Sequence, residues 1–133
     1  AERSDGIRWI CETAYFDVHC PFASRMSWQI RFVPKVTQPT SYAEASDAML
    51  HDLAMLLKSA LIALELNLGG PFSFNLTLVH SRIDQQAAFG WYLELLPRTG
   101  RTAGWELLTN VDIVTIAPEI AAERIREVWK YQS

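Results

Sequence analysis

The chain has 133 residues, of which half are hydrophobic and a fifth charged, and its formal net charge is −3. That length suits one domain, 1–133, with a core of its own. The slight acidity gives no electrostatic case for nucleic acid or an anionic membrane surface, and Arg98 and Arg101 are the nearest approach to a basic cluster. Cys11 and Cys20 fit no Cys-x-x-Cys pair and leave a tetrahedral zinc site without its thiolates.

The first residues, AERSDGIR, are charged and carry no apolar run of the signal-peptide kind, so a cytoplasmic protein is expected. Strand-like runs follow at 7–12, 15–19 and 28–34. The third places Trp28, Ile30 and Phe32 on one face and Gln29, Arg31 and Val33 on the other. A loop containing Pro39 covers 36–40. Ser41 then offers a helix N-cap, and Glu44 completes a capping box.

Leu50, Leu53, Leu57, Leu61, Leu64 and Leu68 follow at helical steps, which predicts a long helix laid across a sheet. His51, Asp52, Lys58 and Glu65 interrupt its apolar character, so it is not expected to span a membrane. Gly69, Gly70 and Pro71 stop it. Phe72, Phe74, Leu76 and Leu78 alternate with polar residues and predict a further strand.

After a polar loop at 81–88 comes FGWYLELLPRTGRTAGWE, the most informative stretch of the chain. Gly90, Tyr92 and Glu94 point to one face of a strand, and Trp91, Leu93 and Leu95 to the other. Pro97 and Arg98 end that strand, and another opens at Ala103 and Gly104 and runs to Ile116. Pro118 sits at the first turn of a closing helix with Ala121, Ile125, Val128 and Trp129 on its apolar side. Strands, long helix, strands and helix make an α+β domain with a mainly antiparallel sheet packed by the long helix and the C-terminal helix.

Four segments, in order, resemble the second half of the galactose-1-phosphate uridylyltransferase family, a branch of the histidine-triad superfamily. GWYLELLPR followed by AGWE matches that family's His-aromatic-His-aliphatic-Glu strand, its Leu-Pro-Arg ending and its Gly-aromatic-Glu step. CPFASRMSWQIRFVPK matches its Pro-Phe strand ending in Pro-Lys, with Ser27 for Pro and Gln29 for Glu. FNLTLVHS matches the aromatic-Asn-x-x-x-His step, and APEIAAERIREV the closing Pro-Glu helix. The aliphatic frame is kept, but Gly90 and Tyr92 stand where the family has histidines.

The resemblance implies a histidine-triad-like fold and a role in nucleotidyl transfer between a nucleotide sugar and a sugar phosphate, as in galactose metabolism. The family's first half supplies a His-Pro-His nucleophile; this chain has only the isolated His19, His51 and His80. It is therefore expected to have no catalytic residue of its own and to serve as a supporting, substrate-binding half. The family often holds a structural metal on the two strand histidines, an upstream histidine and a carboxylate from the other half. Of these only His80 is matched, as a remnant, so no metal and no cofactor are expected.

Gly104, Trp105 and Glu106 match the stretch that reaches the sugar phosphate, although Leu108, Thr109 and Asn110 replace the family's Gly-Thr-Gly and Val114 its Asn. Gly104 is otherwise a bulge and Trp105 a core anchor. Tyr92 and Glu94 lie on the face the superfamily uses, and serve either a ligand hydroxyl or a solvated or interface surface. Two other readings stand beside the half-enzyme: a stand-alone, inactive binding or oligomerisation module, and another nucleotidyltransferase or phosphorylase of the superfamily. With five tryptophans in so short a chain, at least one is expected at a contact surface, and a homodimer or a complex with a partner half follows.

Overall fold

The computed structural model describes residues 8–22, 27–35, 45–80, 90–98 and 116–131. These form β1 (Trp9–Glu12), β2 (Phe16–His19), β3 (Ile30–Pro34), the helix α1 (Asp47–Leu68), β4 (Ser73–His80), β5 (Trp91–Arg98) and the helix α2 (Pro118–Val128). The strands make one antiparallel sheet in the order β1-β2-β3-β5-β4, and both helices pack on one of its faces. This is the α+β architecture expected from the pattern.

Alternation along the strands decides which residues meet the helices. Phe16, Val18, Ile30, Phe32, Trp91 and Leu95 are fully buried on the helix side. The Phe16 and Trp91 rings meet edge to face at 5.8 Å between centroids, a geometry the ring quadrupoles favour. From α1, Met49, Leu53, Leu56, Ala60, Ala63 and Leu64 close the core, and from α2, Ala121, Ala122 and Ile125. The buried strip of α1 thus runs one position to the side of the expected leucine line. Leu57, Leu61 and Leu68 flank it, half-buried, because Ala60 and Ala63 take the line of closest approach to the sheet.

The N-cap of α1 is Ser46, whose hydroxyl accepts the Met49 N–H at 3.1 Å, and Asp47 places a carboxylate at the positive end of the helix. The capping box expected at Ser41 and Glu44 lies outside the described residues. At the other end Gly69 is left-handed (φ 84°), and the N–H groups of Gly69 and Gly70 both reach the Glu65 carbonyl. Pro97 and Arg98 end β5 as expected; they are its last two residues, paired with Phe74 and Ser73.

The two sheet edges differ. At β1 a bulge interrupts the register between Trp9 and Cys11, Lys35 pairs with Glu12, and the Arg126 guanidinium donates to the Trp9 carbonyl. At β4 eight residues run in unbroken register with β5. That strand carries no Asp, Glu, Lys or Arg, and Phe74, Leu76 and Leu78 on its helix side are 39%, 44% and 39% exposed. Of the tryptophans, Trp28 and Trp91 are buried, Trp9 and Trp129 half-buried, and Trp105 lies outside the described residues.

A second anchor sits on buried Asp52, which accepts from Thr13 Oγ1 at 2.5 Å and from Tyr131 Oη at 2.7 Å. It ties the β1–β2 turn, α1 and the C-terminal segment together. The bond to Asp52 pushes the Tyr131 phenol up from 10.0 to about 12, and burial pushes the Cys11 thiol up from 9.0 to about 12. Both groups hold their protons more tightly when folded. Their contribution is therefore complete below the unfolded values and is lost as pH rises through the folded ones. Denaturant titrations are expected to show stability falling between about pH 9 and 12. Tyr131→Phe should cost about 1 kcal/mol at neutral pH and flatten the alkaline decline; an unchanged alkaline profile would count against this anchor.

Candidate functional site

On the sheet face away from the helices, β3 and β5 pair with Arg31 opposite Glu94 and Ile30 opposite Leu95. Directly opposed residues share a face, so Arg31 and Glu94 project together, and Tyr92, two residues along β5, projects beside them. Glu94 is 3% exposed. Its Oε2 accepts Gln29 Nε2 at 2.8 Å, Arg31 Nε at 2.8 Å and Arg31 Nη2 at 2.6 Å. The Arg31 guanidinium also lies over the Tyr92 ring, 4.4 Å from its centroid, within the range of a cation–π contact.

The register brings Thr77 of β4 opposite Glu94 and Val79 opposite Tyr92, so this face continues to the β4 edge. On the other flank His19 of β2 pairs with Arg31 and is buried. His80 pairs with Trp91 instead, which puts it on the helix side, opposite to Tyr92. As an exposed residue at the end of β4 it fits the strand-end reading, and it does not converge with Tyr92. Among the described residues no three His, Cys, Asp or Glu side chains form a group able to hold a metal. Cys11 and Cys20 are free and buried, and burial pushes both thiols up to about 12, which makes them poor nucleophiles at neutral pH.

Tyr92 and Glu94 therefore share one face, as expected, and the structure adds Gln29 and Arg31 to them. Gly104, Trp105 and Glu106 lie outside the described residues. Ser27, which stands where the resembled family has Pro, accepts the Ile116 N–H at 3.2 Å, tying the entry of β3 to the start of the last helical segment. Trp28 beside it has φ 68° and is buried. A non-glycine residue in the left-handed region needs such packing to hold it there.

No protein-family model matches the chain. A search of curated proteins finds an ADP-glucose phosphorylase of Arabidopsis thaliana, 28% identical over 123 residues, spanning 90% of this chain and 34% of that protein. A crystal structure of an ADP-glucose phosphorylase from the same plant, with bound ADP-glucose, superposes with a TM-score of 0.73 at 26% identity, over 94% of this chain and 42% of that one. A uridylyltransferase structure superposes at 0.71 with 22% identity, over 92% and 41%. The chain has the fold of one half of these proteins. The chain spans about a third of the curated relative and about two fifths of these two structures. No helix among the described residues is long and apolar enough to cross a membrane.

Proposed function

We propose that this domain is the supporting half of a nucleotidyltransferase or phosphorylase that acts on a nucleotide sugar, and that it contacts substrate without supplying the nucleophile. The observation that carries this is the superposition over 94% of the chain on a protein with ADP-glucose bound, joined to a face whose two strand-histidine positions are Gly90 and Tyr92. In this reading Gly104 brings backbone close to the sugar phosphate, Trp105 packs on the sugar and Glu106 takes its hydroxyls. Tyr92 borders the same face, and Glu94 acts by fixing Arg31. The sugar phosphate is a hexose 1-phosphate, as in galactose metabolism, and the free thiols suit a cytoplasmic setting.

Titration calorimetry with ADP-glucose and UDP-glucose tests the reading. Weak binding, reduced by Trp105→Ala and by Glu106→Gln, is the expected result, with no covalent labelling by a nucleotide sugar radiolabelled at the α-phosphate. Stoichiometric labelling would show that the chain carries its own nucleophile. No binding of either compound would leave the second reading, an inactive association module. The apolar row Phe74, Leu76 and Leu78 on β4, the end strand of the sheet among the described residues, favours that reading independently. In either case we propose that the chain associates through β4, with a second copy of itself or with a partner half.

A further inference from the structure

The resemblance implies a metal on the face that carries Gly90 and Tyr92, and the donors present there do not fit one. A glycine and a phenol replace the imidazoles, and His80 lies on the opposite side of the sheet. The carboxylate on this face, Glu94, already receives N–H donors from Gln29 and Arg31 on Oε2. What the face does contain is a cation built from the chain itself.

We propose that Arg31 takes the place of a structural metal ion on this face: its guanidinium neutralises buried Glu94, clamps β3 to β5, and excludes divalent cations from the position. The electrostatic need is plain. A carboxylate at 3% exposure is strongly disfavoured without a counter-charge. Arg31 supplies that charge with two N–H donors on one oxygen, at 2.8 and 2.6 Å. Tyr92 completes the arrangement by offering a π face to the guanidinium at 4.4 Å. Arg31 is only partly covered, with 28% of its side chain exposed. A divalent ion approaching Glu94 from solvent would therefore meet the guanidinium first. A guanidinium stays charged at any physiological pH, so unlike a metal site this clamp cannot be emptied by a chelator. Arg31 is thus a positioning residue, and its role does not depend on which nucleotide sugar, if any, the domain binds.

Thermal melts of the whole chain, with EDTA and with equimolar zinc, test the proposal on the wild type, Arg31→Met, Arg31→Lys, Glu94→Gln and the variant combining Arg31→Met with Glu94→Gln. The wild type is expected to melt at one temperature in buffer, in EDTA and with zinc. Arg31→Met should lose about 8 °C or more, the scale set by a buried charge left unpaired in a domain of this size. Arg31→Lys keeps the charge without the fork and should lose less. The double variant should regain most of what Arg31→Met loses, because a neutral amide at position 94 no longer requires a counter-charge. If Arg31→Met does not fold, the double variant and Arg31→Lys should still do so. A wild type destabilised by EDTA or raised by zinc would overturn the proposal. So would a double variant that melts no higher than Arg31→Met, since Arg31 would then contribute packing alone.

Discussion

Leu56→Ala is expected to lower the unfolding free energy by about 2–5 kcal/mol, the range for removing a fully buried leucine and leaving a cavity. Leu56 has no exposed surface and lies between Met49, Leu53 and Ala60 on the strip of α1 that faces the sheet. Leu57→Ala should cost roughly half as much, because its side chain is only half-buried and the site can relax toward solvent. Urea titrations of the two variants make the comparison directly. Equal losses, or a larger loss at Leu57, would mean that α1 is rotated toward the leucine line and that Ala60 and Ala63 do not form its contact with the sheet.

That comparison also shows where the sequence was readable. The leucine spacing identified α1 as a helix over a sheet, because a stripe at steps of three and four has no other economical burial. It did not give the rotation, since counting large apolar residues overlooks alanine. Ala60 and Ala63 are fully buried because a small side chain lets the backbone approach. Capping-box spacing does not locate the start of α1 either. Ser41 with Glu44 matched the capping-box spacing, whereas Ser46 caps with its hydroxyl alone and has Met49 at the third position.

The polar face divides in the same way. Alternation placed Gln29 and Arg31 together on β3, and Tyr92 and Glu94 together on β5. Their union needs the β3–β5 register, which joins residues 63 positions apart. No local pattern encodes that separation. The family resemblance points to Tyr92 on β5, whereas Arg31 sits on a different strand. An arginine in an alternating strand reads simply as a solvent-facing residue until its partner is known.

Light scattering at micromolar concentration is expected to report a dimer for the isolated chain and a monomer for Leu76→Lys. The argument starts from the unequal edges. β1 is four residues long, bulged, flanked by Arg8 and Glu12 and covered by the α2 side chain Arg126, all features that discourage strand addition. β4 has none of them: it is eight residues long, unbroken in register, without Asp, Glu, Lys or Arg, and terminal in the sheet among the described residues. Such a strand can pair antiparallel with its own copy and suffer no like-charge repulsion among those residue types. A two-fold axis through Leu76, normal to the sheet, would set Leu76 against its counterpart and Phe74 against the partner's Leu78, merging the apolar rows on the helix side. Ile62 and Leu66 of α1, 43% and 59% exposed, extend apolar surface on that same side of the molecule. Each Leu76 buried at the axis contributes about 2 kcal/mol. Losing both therefore weakens the dimer by about 4 kcal/mol, or about a thousandfold in dissociation constant. Ala54→Lys, at an exposed position on α1, serves as the charge control and should stay dimeric. A monomeric wild type would overturn self-association through this edge, and a dimeric Leu76→Lys would place the contact elsewhere on the surface.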